Sequence, residues 1–126
     1  MQRVVDSAAQ LTESDRGCVA ITGSHGGLSA ARYALVAMPW LVVFNDAGVG
    51  KDNAGVAGLP LLAQHGVAAA TVAHTSARIG EAASTLADGV ISHVNPLAQA
   101  LGLAPGMALA TWLHSTAAAS RSNAPR

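Results

Sequence analysis

The chain has 126 residues, of which 51% are hydrophobic and only 11% charged, with Lys+Arg 7 balancing Asp+Glu 7. That length fits one domain, and a formal net charge of zero leaves no basic footprint for nucleic acid. The aromatics Tyr33, Trp40, Phe44 and Trp112 are too few to form a stacking platform for bases, and Cys18, the lone cysteine, excludes an intrachain disulfide.

Residues 4–15 read as a short helix. Residues 18–22 (CVAIT) are a first apolar strand, closed by Gly23-Ser24-His25-Gly26-Gly27. Residues 28–38, rich in Ala and Leu, read as a helix that Pro39 stops. Residues 40–44 (WLVVF) are the strongest strand signal, and a polar stretch over 45–53 follows. Residues 54–64 read as a helix, with Pro60 favouring a start near Leu59 and His65-Gly66 ending it. Residues 67–73 (VAAATVA) are the third strand, 81–87 a short helix stopped by Asp88-Gly89, and 90–94 the fourth strand. Asn95-Pro96 is an N-cap followed by Pro at the first helical position, for a helix that Gly102 ends. After a turn at 104–106, residues 107–116 read as a last helix. Residues 117–126 are small and polar, the composition of a disordered tail.

Four short apolar strands alternating with helices predict a small α/β layered domain over residues 1–116, with a mainly parallel four-stranded sheet flanked by helices. Near-continuous apolar strands fit a sheet covered on both faces. The longest apolar run, residues 35–44, is interrupted by Pro39 and falls short of the roughly 20 residues that span a bilayer. The start, MQRVVDSAAQ, lacks the apolar run of a signal peptide. The expectation is a cytoplasmic protein with neither membrane nor nucleic acid as partner. Between Gly17 and Ala119 the only charges are Arg32, Asp46, Lys51, Asp52, Arg78, Glu81 and Asp88. So weakly polar a surface predicts a homo-oligomer.

In an open parallel sheet, ligands bind beyond the carboxyl ends of the strands. The unusual residues of this chain stand at those positions, provided that all four strands run the same way. In GSHGG, glycines after a strand free backbone N–H groups to face an anion, and His25 between them suits acid–base work. The alternative is a tight strand-to-helix turn with His25 exposed. Ser24 is outside a G-x-S-x-G elbow and is not read as a nucleophile. In NDAGVGKDNAG, Asp46 and Asp52 suit a base, a metal ligand or a hydroxyl anchor, and Lys51 suits a carboxylate or phosphate. Neither the phosphate-loop nor the dinucleotide pattern fits: Asn45 and Asp52 break the first and Asn53 the second. The alternative is a solvated loop in which Asp52 or Asn53 caps the next helix.

In HTSARIG, the Arg78 fork suits a carboxylate, and its alternative is an ion pair with Glu81 or a subunit contact. Ser76 is the kind of residue that shapes turns. His93 reads as a satisfied strand histidine, Asn95 as an N-cap, His65 as a residue suited to a helix C-terminus, and His114 as structural or interfacial. Cys18 opens a buried strand and reads as an inert thiol. Zinc is the one cofactor alternative, with ligands from His25, His74, His93 and Asp46. No H-x-x-x-H or H-x-H pair supports it.

At GSHGG (23–27) and FNDAGVGKDNAG (44–55) the chain resembles a group of small, uncharacterised bacterial α/β proteins. From Leu41 to Trp112 it is also similar in pattern to a small domain family of unknown function. That pattern is a strand, a Gly-rich turn, a helix ending in Gly before an Ala-rich strand (HGVAAATVA), then a segment close to A-x-x-LG-x-x-x-GM. The resemblance implies a compact α/β fold and transfers no activity.

These readings converge on a site for a small anionic, carboxylate-type metabolite. His25 and Asp46 are the expected acid–base groups, with hydrolase-like chemistry favoured and no cofactor required. Gly26, Gly27, Lys51, Asp52, Asn53, His74, Ser76 and Arg78 are the expected binding groups. The alternative is a non-catalytic metabolite-binding or oligomeric accessory module that uses the same loops.

Overall fold

A computed structural model describes residues 1–115. One sheet is built from β1 (Gln2–Val5), β2 (Val19–His25), β3 (Leu41–Asn45), β4 (Ala68–Val72) and β5 (Ile91–Val94). It is covered by α1 (Leu28–Ala37), α2 (Gly58–Gln64), α3 (Ala82–Asp88), α4 (Pro96–Ala100) and α5 (Leu109–Leu113). The expected tail at 117–126 lies outside the described residues.

The strands lie side by side in chain order. The first three pairings are parallel and β4–β5 is antiparallel. The α/β class and the mainly parallel sheet are as expected, but there are five strands rather than four. The extra strand, β1, lies where a helix was expected to begin. Among the described residues no strand pairs with its outer edge, and its burial is low, so it lacks the apolar run that marks the central strands. The rest of that segment forms two single 3₁₀ turns, Ala8–Gln10 and Glu13–Asp15, each with a capping box.

The direction of β5 follows from its connection. The seven-residue α3 is about 10 Å long, whereas a five-residue strand spans about 17 Å. It packs across β2 and does not carry the chain back to the amino edge. Val90 re-enters beside Ala73, whose N–H donates to its carbonyl at 2.8 Å.

Strand alternation sends side chains to two separate cores. Ala20, Val42, Phe44 and Ala69 pack under α1 and α2, with Ala30, Ala31, Ala34, Leu59 and Leu62 above them. Val19, Ile21, Leu41, Val43, Ala70 and Val72 pack on the other face against Ala98, Leu103, Leu109 and Trp112. Small Ala side chains let α1 lie close to the sheet. Phe44 is fully buried, and truncating such a side chain to Ala costs about 3–5 kcal/mol.

The caps match their sequence signals. Met38 ends α1 in the left-handed region (φ 51) just before Pro39. Asn95 Oδ1 accepts the Ala98 N–H at the start of α4, with Pro96 at N1. Pro60 falls in the first turn of α2, where its missing N–H has no partner to lose. Among the described residues no helix is long and apolar enough to cross a membrane.

Candidate functional site

The carboxyl edge of the parallel strands gathers His25 from β2, Asn45 from β3, Asp46 just after β3 and His74 just after β4. Register sets His25 beside Asn45, and Asn45 beside Val72. Because β5 is antiparallel, its carboxyl end lies at the opposite edge, which corrects the expectation that all four strand ends share one edge. Asn95 therefore sits among the amino ends. There it accepts from the Ala69 and Ala98 amides and donates to the Leu59 and Val67 carbonyls.

Asp46 is 5% exposed, yet it is bonded as an ion. Its Oδ1 accepts the Gly48 N–H at 2.8 Å and the His74 N–H at 3.0 Å, and faces His74 Nδ1 at 3.3 Å. Burial by itself would raise this carboxyl. The Gly48 amide, the Ser92 hydroxyl and the amide and ring of His74 outweigh it and hold the group below the ordinary aspartate value. An aspartate so held is a poor proton acceptor and a good orienting group. With Nδ1–H turned to Asp46, neutral His74 keeps its free lone pair on Nε2, which has no partner among the described residues. The His74 side chain is 55% exposed.

His25 has the opposite polarity. Its Nδ1 accepts the Gly27 N–H at 3.2 Å, so the neutral ring carries its proton on Nε2 and presents a donor. Gly26 is required by close approach. A Cβ there would meet the Gly55 carbonyl oxygen at 2.8 Å and Thr71 Cγ2 at 3.0 Å. The GSHGG turn is therefore packed against the loop that follows β3.

That loop is held in an unusual backbone. Ala47, Gly48, Val49, Gly50, Asp52 and Asn53 all have φ between 52° and 76°. Only the glycines adopt this at no steric cost, and a Val in that region costs on the order of 1–2 kcal/mol. Several bonds hold it there. Asn45 Oδ1 accepts from the Ala47 amide and the Asp46 carbonyl from the Val49 amide, while the Gly55 amide donates to the Val49 carbonyl. Lys51, Asp52 and Asn53 are exposed, and their side chains have no ion pair or hydrogen bond among the described residues.

Beside Asp46, a polar trio links β4 and β5. Thr71 Oγ1 lies 2.9 Å from Ser92 Oγ and 3.4 Å from His93 Nδ1. An irregularity between Thr71 and Val72 lets Ser92 and His93, neighbours in sequence, both reach Thr71. Sequence reasoning did not select Thr71 or Ser92 and read His93 as structural. The available signal was a Ser-His pair inside a strand only four residues long.

Ser76 and Arg78, the other expected binding residues, have these partners. Ser76 Oγ donates to the Ala73 carbonyl at 2.7 Å and accepts the Val90 N–H at 2.9 Å, so it shapes the return to β5. The Arg78 amide donates to Ser84 Oγ, while its exposed guanidinium makes no ion pair among the described residues, Glu81 included. The zinc alternative is not assembled: among the described residues no group of three or more His, Cys, Asp or Glu is arranged to hold a metal. His65 Nδ1 lies 3.0 Å from the Leu61 carbonyl at the end of α2. Cys18 is buried, and its thiol is pushed up to about 11 by that burial and by the nearby Asp15.

A cleft of 370 Å³ opens at the ends of β1 and β2, lined by Asp6, Ser24, His25, Tyr33, Ile79 and neighbouring residues. His25 reaches it, but Asp46, Lys51, His74 and Arg78 do not line it. The edge thus carries two features side by side, an open apolar cleft and a carboxylate–imidazole pair under a strained loop. No known protein family, curated protein or solved structure matches this chain.

Proposed function

We propose that this protein is an enzyme performing acid–base chemistry on a small anionic, carboxylate-bearing metabolite at the carboxyl edge of β3 and β4, with hydrolysis the favoured reaction. The observation that carries the reading is the Asp46–His74 pair, a buried carboxylate kept ionised against an exposed imidazole. His74 Nε2 takes the proton from an attacking water, and Asp46 stabilises the imidazolium that results. This moves the base from Asp46 to His74. Lys51 holds the substrate anion, with Asp52 and Asn53 beside it and the backbone of Gly26 and Gly27 lining the far side. His25 offers its Nε2–H to an oxygen that gains charge. The strained 47–53 backbone supports a functional reading, because such conformations concentrate at sites of chemistry and binding. The reading calls on no cofactor and includes a cytoplasmic setting and a homo-oligomer.

A non-catalytic binding module is the second reading. It is favoured by the two backbone amides that Asp46 accepts, which are the bonds of a residue that pins a loop.

The test is a panel of small carboxylates with their esters and amides, followed at pH 7 by amide chemical shifts and by product formation. Binding should move Gly48, Lys51 and His74. His74→Gln should retain binding and lose turnover by about 10²–10⁴-fold, and Lys51→Ala should raise KM more than it lowers kcat. Turnover untouched by His74→Gln would sink the catalytic reading. Binding without turnover anywhere in the panel would favour the module.

A further inference from the structure

The large apolar side chains exposed among the described residues are not scattered. Leu28, Tyr33 and Val36 stand on α1 and Ile79 on the loop after β4, with Tyr33 51%, Val36 58% and Ile79 53% exposed. Only Met1 and Val4, at the β1 edge, lie apart from them. The 370 Å³ cleft runs between Asp6, Ile79 and Tyr33. A second groove of 310 Å³, lined by Ser29, Arg32, Tyr33 and Val36, shares Ser29 and Tyr33 with it. The two hollows form one surface with Tyr33 at its middle, Asp6 towards one end and Arg32 towards the other.

We infer that this surface is the interface with a second copy of the chain, related by a two-fold axis near Tyr33. It rests on the oligomeric part of the reading above and shares only His25 with the catalytic part. Three features carry it. A two-fold contact must be complementary to itself, and this patch holds both protrusions, at Tyr33 and Val36, and hollows to receive them. Its charges are complementary under the same rotation. Arg32 is exposed, with no ion pair among the described residues, and reversing the patch turns it towards the partner's Asp6. Its central residue, Tyr33, and the Arg32 beside it are of the types that dominate the energy of protein contacts. The low formal charge of the chain puts little repulsion in the way of two copies.

A small anion suits the cleft poorly, because among the described residues it is lined by no Lys or Arg and its one formal charge is Asp6. The β1 edge is a weaker candidate, since it offers four residues of backbone. Pairing at α1 covers the outer side of His25 but leaves Asp46 and His74 open, as neither lines the two hollows.

The test is sedimentation velocity with light scattering, from micromolar to millimolar chain, on the wild type, Val36→Glu, Arg32→Glu and Val4→Glu. The two α1 positions are exposed, and Glu is a good helix former, so both variants should keep the wild-type far-UV spectrum. The wild type should show twice the 12.5 kDa mass of one chain. Val36→Glu and Arg32→Glu should weaken pairing, the first by about a hundredfold or more, and Val4→Glu should leave it intact. The inference is overturned if the wild type stays a single chain at every concentration. It is equally overturned if Val36→Glu still pairs, or if Val4→Glu is the variant that dissociates. Small carboxylates that shift Tyr33 and Ile79 in a chain that stays monomeric would show the cleft to be a ligand site instead. Loss of turnover in His74→Gln with pairing intact would separate the two proposals.

Discussion

Replacing Asp46 tests the reading that one carboxylate pins the loop and orients His74. In Asp46→Ala the Gly48 and His74 amides lose an ionised acceptor at 2.8 and 3.0 Å. Hydrogen bonds to charged groups contribute about 1.5–3 kcal/mol each. Both amides are only part-buried, so water recovers some of the loss, and a net cost of about 2–4 kcal/mol follows. For a chain of this size each kcal/mol moves Tm by about 3–5 °C. Asp46→Asn keeps an oxygen for the two amides and should cost about 1 kcal/mol, but it removes the charge that faces His74 Nδ1. Urea unfolding at pH 7 measures the first effect, and ¹⁵N imidazole shifts measure the second, as a fall in the share of the Nδ1–H tautomer. The pH dependence has a definite sign. The folded carboxyl titrates below its unfolded value of about 3.9. Its contribution is therefore complete above that value and is lost as the pH falls through the folded pKa. The gap between wild type and Asp46→Ala should hold from pH 7 to pH 5 and narrow once the pH drops below about 3.9. An alanine variant within about 0.5 kcal/mol of wild type at pH 7 would refute the argument.

Other positions are expected to respond as follows. Asn95→Ala removes four hydrogen bonds of 3.0–3.2 Å from a residue 4% exposed, and should cost about 3–4 kcal/mol in urea unfolding. Asn95→Asp should cost at least as much, because it sets a carboxylate against the Leu59 and Val67 carbonyls. Gly26→Ala should lower stability by about 1–3 kcal/mol and shift the amides of residues 47–55, since its Cβ presses on the Gly55 carbonyl; unchanged spectra would show that this packing is not tight. Cys18 should fail to react with a disulfide reagent at pH 8 in the native protein and react fully in urea. Prompt native labelling would contradict the burial.

Much of the fold was legible because the central strands are buried on both faces and so read as unbroken apolar runs. The strand at the edge was not, since Gln2 and Val4 are exposed and leave only a fragment of that signal. The direction of β5 was hidden for a different reason. It depends on how far the seven residues of α3 can carry the chain, not on the composition of the strand. At the site, Asp46 and His74 stand out in a chain that avoids charge, but their contact depends on the β3–β4 register. The part played by Ser92 and His93 depends on an irregularity opposite Thr71, which leaves no compositional trace. Residue type alone does not say whether a buried carboxylate is desolvated or well bonded, and the low-lying Asp46 carboxyl is the reason the proposal gives the base to His74.

Because each strand pairs with its neighbour in the chain, the sheet can grow in the order of synthesis, one strand laid beside the last. Each parallel pairing joins residues 17 to 27 positions apart, and a loop of that length must close before the pairing stabilises it. The pairings of the β1–β3 layer use residues 2–45 alone and need nothing from β4. The carboxylate–imidazole contact closes across 28 residues and only when β4 docks, and the Ser92 hydroxyl arrives later still, with the reversed strand. The contact that orients His74 therefore forms only once β4 has docked, whereas the 47–53 loop also has local bonds of its own to hold its left-handed backbone.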